Sequence, residues 1–370
     1  MSAAATPVPD GPGPDGPIAA GRVTVSVLAP AQLVGLDSAD RLRASRPDLD
    51  VHFVPYVETN EHRAARRTGR LHEVATPLPE LADDHRRWLE ASVAVLALDV
   101  PSGLPDLAPG LRLVHAAGAG TEWFDHAGLQ ARGIPLCNAS GVAAAPIAEF
   151  MLARILEVYK GLRRIEAQQR EHRWQPQFGR ELAGSTLGVV GLGGIGRAVA
   201  VRARAFDVTV LGTRRSARPG DVDPDVDELW PLDRLDEMLG RCDIVLLAAP
   251  AGPETDDMFD ATRFAAMKRG SVFCNVARGS LVVEGALLDA LHSDHLVAAV
   301  LDVTRHEPAP PEDPLWDEPN VYLSPHCSSS MDRYAERLIE LFADNLDRLL
   351  AGEELRNVVN GVDRSQRRAG

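Results

Sequence analysis

The stretch Leu187-Gly188-Val189-Val190-Gly191-Leu192-Gly193-Gly194-Ile195-Gly196 decides how the rest of the chain is read. Leu187–Val190 is a short apolar run of strand type, and the residues after Gly196 keep a helical apolar spacing through Ala198 and Val201 to about Phe206. Between them stands Gly-x-Gly-x-x-Gly. The first glycine permits a tight turn, the second lets the backbone approach a pyrophosphate, and the third lets helix pack on strand. Gly194 and Ile195 open the helix whose positive end would face the phosphates. The glycines alone are weak evidence. A strand before them and a helix after them make the stretch a dinucleotide site.

Outward from this loop the pattern repeats. Leu187–Val190 is followed by the apolar runs Val208–Leu211, Ile244–Ala248, Val272–Val276, Val297–Leu301 and Val321–Leu323. Near-continuous Val, Ile and Leu runs mean strands covered on both faces. Upstream, Val23–Ala29, Val51–Val57, Val93–Leu98, Leu111–Ala116 and Ile134–Asn138 form a second such set. One long helix is expected from Ala143 to about Arg170, and another from Arg333 to Leu350, stopped at Gly352. Two helices bracketing the more regular set suggest that it is an insertion. The expected fold is therefore α/β, with two doubly wound parallel-sheet domains. A Rossmann cofactor domain (142–326) would be inserted into a flavodoxin-like substrate domain (22–141 and 327–360). Residues 1–21, rich in Pro, Gly and Ala, and residues 361–370 read as disordered tails.

Composition agrees with an ordinary globular protein. The 370 residues suit two domains, and 45% hydrophobic residues can fill their cores. A net charge of −14 without a basic stripe argues against nucleic acid and anionic membrane as partners. Cys137, Cys242, Cys274 and Cys327 make no Cys-x-x-Cys pair, so neither zinc nor a disulfide framework is expected. There is no signal-peptide pattern and no run long enough to span a bilayer, which points to the cytoplasm.

The strand Val208–Leu211 should end on the residue that reads the adenosine ribose, normally Asp or Glu for NAD. Here it runs into Gly212-Thr213-Arg214-Arg215-Ser216, and Asp207 lies at the wrong end. Two arginines and two hydroxyls suit a 2′-phosphate, because a guanidinium pairs bidentately with phosphate oxygens. NADP(H) is expected as the preferred cofactor, with NAD(H) as the alternative.

The second half then presents Asn275-Val276-Ala277-Arg278-Gly279, Leu301-Asp302-Val303, Glu307-Pro308, Pro314-Leu315-Trp316, Asn320-Val321 and Ser324-Pro325-His326. In this order and spacing they resemble the signature of the D-isomer-specific 2-hydroxyacid dehydrogenases, over roughly residues 90–360. That resemblance implies hydride transfer between a nicotinamide and the α-carbon of a small 2-oxo or 2-hydroxy acid. Arg278 would clamp the substrate carboxylate, and His326 would be the general acid–base with Glu307 on its other ring nitrogen. Asp302 would bind the nicotinamide carboxamide, a sheet-edge cap being its alternative. Pro250 and Ala277 are further cofactor positions of the resemblance. Backbone amides at Ala119 and Gly120 would hold the carboxylate opposite Arg278. A homodimer built on the helix from Ala143 is implied as well.

The chemistry supports these roles independently. A guanidinium at the carboxyl end of a strand stands where ligands bind, and a protonated imidazole can neutralise a forming alkoxide. His115 reads as a core histidine, and His306 is given no role. Ala116 and Ala117 occupy the place where the phosphoglycerate branch carries arginine, which favours the glyoxylate/hydroxypyruvate reductase branch. Thr304 replaces the usual aromatic after Asp-Val, and Cys327-Ser328-Ser329 replaces a more apolar stretch, leaving the substrate side chain open. The rival expectation is a nucleotide-sensing, corepressor-like interaction protein on the same fold.

Overall fold

In the computed structural model of the chain, residues 22–29, 36–329 and 332–362 are described. The tails expected at 1–21 and 361–370 lie outside these residues, except for Gly361 and Val362. The described residues form two units, 22–142 with 332–362, and 143–329.

The first unit holds β1 (Val23–Leu28), β2 (Leu49–Val54), β3 (Ala94–Ala97), β4 (Leu113–Ala116) and β5 (Leu136–Cys137). All pair in parallel, in the order β2-β1-β3-β4-β5, the flavodoxin-like winding. Alternate residues feed two cores. Val25, Val27 and Leu96 face one, and Leu28, Val95 and Ala97 the other. The returning helix Tyr334–Ala351 buries Leu338, Ile339, Phe342, Leu346 and Leu349 in the first of these cores. This helical-period stripe places the C-terminal segment with the first sheet, so the second unit is an insertion.

His115 on β4 is fully buried, edge-on to Phe342, with Nδ1 donating to the Ala116 carbonyl. Burial pushes its pKa down to about 4, so it stays neutral and serves packing.

The second unit holds β6 (Thr186–Val190), β7 (Thr209–Thr213), β8 (Glu228–Trp230), β9 (Ile244–Leu247), β10 (Ser271–Asn275), β11 (Leu296–Leu301) and β12 (Val321–Leu323). The parallel order β12-β11-β10-β9-β6-β7-β8 reverses direction between β6 and β9. That is the Rossmann switch point, where sheets of this kind bind their ligands at the carboxyl ends of the strands. Val190, Leu211, Leu247, Phe273 and Leu301 line one core, while their neighbours Val189, Val210, Leu246, Cys274 and Val300 line the other. Covering on both faces is what the unbroken apolar runs demanded.

Three local readings change. β8 was not expected. It is a three-residue edge strand, Glu-Leu-Trp, with only exposed and half-buried residues, so it carries no apolar run to read. The single long helix from Ala143 is two, Ala144–Lys160 and Leu162–Arg170, because Gly161 adopts a left-handed φ of 66° and caps the first. Cys327, Ser328 and Ser329 belong to the second unit rather than to the return segment, because Asp302 ties the backbone there.

Among the described residues no helix is long and apolar enough to cross a membrane.

Candidate active site

The glycine loop sits at the carboxyl end of β6. Gly191 has φ 104°, and a β-carbon there would lie 2.8 Å from the Ala248 backbone. A β-carbon on Gly196 would strike the Gly191 carbonyl and come within 2.9 Å of Val189, so only glycine lets the helix Gly194–Ala203 approach β6. A β-carbon on Gly193, by contrast, would face open space, with no atom beyond its chain neighbours within 4 Å among the described residues. No side chain caps the following helix, so its first amides, including those of Gly194 and Ile195, point at that space. The amides of Gly191 and Leu192 donate to the Thr213 carbonyl, 3.0 and 3.2 Å away, and lock the loop to the end of β7.

At that end the buried Thr213 hydroxyl and the Arg214 Nε make no hydrogen bond among the described residues. Arg214 is half-buried and reaches Asp223 at 3.3 Å, whereas Arg215 is almost fully exposed, 3.7 Å from an equally exposed Glu254. Of the two arginines expected to act together, only Arg214 is seated. An open glycine cradle, an uncapped helix end and unpartnered polar atoms at the strand end fit a dinucleotide phosphate chain.

The next strands place the reactive groups. β10 ends in Asn275, whose buried side chain accepts from the Ala277 amide (2.9 Å) and donates to the Arg278 carbonyl (3.0 Å). This Asx turn throws Arg278 out at the carboxyl edge, half-buried, its Nη1 donating to the Ala277 carbonyl at 2.8 Å. On the neighbouring switch-point strand β9, Pro250 follows exposed, its carbonyl accepting from Thr255 at 2.8 Å.

β11 is followed directly by Asp302, which is 2% exposed and works as a hub. One oxygen accepts from the Ser324 hydroxyl at 2.9 Å and from the Cys327 and Ser328 amides at 3.1 Å. The other accepts from the Ser328 hydroxyl, and the Asp302 carbonyl accepts the His326 amide at 2.9 Å. These contacts hold His326 at a left-handed φ of 50°, a conformation that costs about 1 kcal/mol for a residue with a β-carbon. The geometry gives Asp302 the cap role first, and any carboxamide contact is additional to it.

His326 Nδ1 lies 2.8 Å from Glu307 Oε2. That hydrogen bond, against the effect of burial, raises the imidazole pKa above its usual value. Burial alone would push the Glu307 carboxyl up. The His326 proton, the Thr304 amide and the Arg278 charge outweigh it and hold Glu307 below its usual range. The pair can thus deliver and recover a proton beside a guanidinium. Thr304 has a task its sequence did not reveal. Its hydroxyl donates to the His306 carbonyl at 2.7 Å and its amide to Glu307 at 3.3 Å, closing the turn that presents the carboxylate.

Ala119 and Gly120 follow β4 in the first unit, where Tyr334 donates to the Ala117 carbonyl and Asn138 to that of Ala119. Their own amides make no hydrogen bond among the described residues.

The family model described as D-isomer specific 2-hydroxyacid dehydrogenase, NAD binding domain, matches residues 152–328. A glyoxylate reductase of Thermofilum pendens is 34% identical over 277 residues, 73% of this chain and 81% of that protein. The chain belongs to the D-isomer specific 2-hydroxyacid dehydrogenase family. It is an NAD(P)-dependent oxidoreductase of that family. The crystal structure of a family member from Xanthobacter autotrophicus Py2, in complex with NADPH and MES, has a TM-score of 0.73 and 28% identity, covering 93% of this chain and 99% of that one. An NADPH-dependent glyoxylate/hydroxypyruvate reductase from Sinorhizobium meliloti, in complex with NADP and sulfate, has a TM-score of 0.68 and 26% identity over 92% and 99%.

Asn275, Thr304 and Asp223 are the supporting residues that sequence reading missed. Only Asn275 left a signal, an Asx residue closing a strand two positions before a small residue.

Proposed function

We propose that this dehydrogenase reduces glyoxylate, hydroxypyruvate or a closely related small 2-oxo acid to the 2-hydroxy acid, D-configured wherever the reduced carbon becomes a stereocentre, with NADPH preferred over NADH. The observation that carries the reading is the His326–Glu307 pair at 2.8 Å with the Arg278 charge acting on both members. Arg278 holds the substrate carboxylate through its paired N–H groups. His326, whose protonated form Glu307 favours, gives its proton to the 2-oxo oxygen as charge develops there. The bound nicotinamide supplies the hydride. The Ala119 and Gly120 amides, which make no hydrogen bond among the described residues, are donors for a carboxylate, as the family resemblance implies. Gly191, Gly193, Gly194, Ile195 and Gly196 hold the pyrophosphate. Thr213 and Arg214, with Arg215 at the exposed rim, meet the adenosine ribose. Pro250, Ala277 and Asp302 remain cofactor positions in this reading, and the cytoplasm remains the proposed location.

The two proteins of named activity above are both reductases, one of them NADPH-dependent, and the NADPH complex of the third supports the cofactor reading. The test is oxidation of NADPH and NADH against glyoxylate, hydroxypyruvate, pyruvate and a bulkier 2-oxo acid. Turnover of at least one, with the higher kcat/KM for NADPH, is expected. Cofactor binding without turnover of any would replace the enzyme by a nucleotide-sensing binding protein. The two reductases above do not support that rival.

We also propose a homodimer. The apolar face of Ala144–Lys160 is consumed within its own unit, where Met151, Leu152 and Ile155 are buried and Ile147, Phe150 and Leu156 pack on the same core. What remains is beyond the break at Gly161: Leu162 and Ile165 are about two-fifths exposed, Phe178 is 92% exposed and Trp174 99%. Large apolar side chains so placed along one segment mark a contact surface. Light scattering should give twice the chain mass, and Trp174→Ser with Phe178→Ser should shift it toward the monomer. A monomer in the unaltered protein at micromolar concentration would remove this assignment.

A further inference from the structure

The loop between β7 and β8 carries a buried carboxylate at the place where the strand end lacks one. Asp223 is 7% exposed, and both its oxygens are engaged. Arg197, the residue directly after Gly196, meets it in a fork at 2.8 and 2.7 Å. Arg197 Nη1 also reaches Asp225 at 2.6 Å. The Asp225 amide donates to the oxygen Oδ1 at 3.2 Å, and Arg214 Nη1 to Oδ2 at 3.3 Å. Two guanidiniums and two carboxylates therefore meet at the end of β7, and the cluster carries no net charge. The fork holds Asp223 ionised, its pKa drawn below the usual carboxylate value chiefly by Arg197.

This arrangement separates two roles that one strand-end acid usually combines. With four donors already on it and almost no exposure, Asp223 has no oxygen left for a ribose hydroxyl. Yet its charge lies against the one arginine seated to receive a 2′-phosphate. We infer that Asp223 is a specificity-determining residue, which competes with the 2′-phosphate for Arg214 and so moderates the preference for NADPH. The inference rests on the proposed seat of that phosphate at Arg214. Arg214 must share its guanidinium when the phosphate binds, whereas NADH, which brings no charge to this point, is indifferent to the competition. Asp223 and Arg197 are positioning groups here. Neither touches the reacting atoms.

The experiment measures dissociation constants for NADPH, NADH and 2′,5′-ADP by calorimetry and nicotinamide fluorescence, without turnover. Asp223→Asn keeps the shape of the side chain and removes its charge. It should tighten NADPH and 2′,5′-ADP by about three- to tenfold, the worth of a partly screened charge contact, with NADH little changed. Asp225→Asn, which removes an equal charge that does not touch Arg214, should do less. In an Arg214→Ala background the gain from Asp223→Asn should vanish, because the two effects act through one guanidinium. If the Asp223 variant does not fold, Arg197→Met reads the same competition with opposite sign. It releases the carboxylate onto Arg214, and NADPH should weaken while NADH holds. NADPH unchanged or weakened by Asp223→Asn, or strengthened by Arg197→Met, overturns the competition. Arg214→Ala that leaves NADPH affinity intact overturns instead the seat on which it rests.

Discussion

His326→Ala should lower kcat for 2-oxo acid reduction by about 10²–10⁴-fold, the usual worth of a positioned acid–base, with cofactor affinity little changed. The loop should survive the change, since Asp302 holds it through the amides of 326–328 and the Ser324 and Ser328 hydroxyls rather than through the ring. Glu307→Gln tests the other half of the pair. The protonated imidazole is the working form in reduction, so the rate falls as pH rises through the His326 pKa. Glu307 is the first cause of that pKa being raised. Glutamine can still accept from Nδ1 but brings no charge, so the fall should begin at lower pH. Activity of His326→Ala near that of the unaltered protein would remove the assignment. An unchanged profile in Glu307→Gln would mean that another group sets the imidazole's proton affinity.

What made the fold legible was the two-sided burial of its strands. Val189-Val190, Leu246-Leu247 and Val300-Leu301 alternate between two cores, so both residues of each pair must be apolar, and the run stands out from the sequence. β8 escaped because an edge strand needs no such run, and its pattern of exposed and half-buried residues is that of a loop. The helix break escaped because Gly161 interrupts a pattern whose apolar residues continue on both sides. A glycine within a helical period can be tolerated or can end the helix, and only packing decides which.

The site divides in the same way. The groups proposed to contact ligands lie at strand ends in short motifs, and Gly191–Gly196, Arg278, Glu307 and His326 could be named from the motifs alone. Groups that hold them in place are distant in sequence or chemically bland. Thr304 differs from the aromatic expected after Asp-Val and so suggested a change of substrate pocket, yet its hydroxyl turns inward to the His306 carbonyl. Asp223 lies 26 residues after Arg197 in a loop of four aspartates, and nothing in the sequence says which of them is buried.

Arg278→Ala should lower kcat/KM for the 2-oxo acid by about 10²–10⁴-fold, since two charge-assisted contacts of about 1.5–3 kcal/mol each are lost. Both kcat and KM should suffer, because the proposed clamp would act on the substrate before and during hydride transfer. The turn should persist, held by the Asn275 side chain on the Ala277 amide and the Arg278 carbonyl, neither of which the substitution removes. Arg278→Lys restores the charge without the planar fork, and recovers only part of the loss. The pH profile supplies a check that a merely structural role would not pass. The Arg278 charge lowers the His326 pKa, opposing Glu307. Its removal should therefore carry the fall in rate to higher pH, opposite in direction to Glu307→Gln. Loss of activity with no such shift, or a shift in the same direction as Glu307→Gln, would place Arg278 outside the electrostatic field of the histidine and end its role as clamp beside the proton donor.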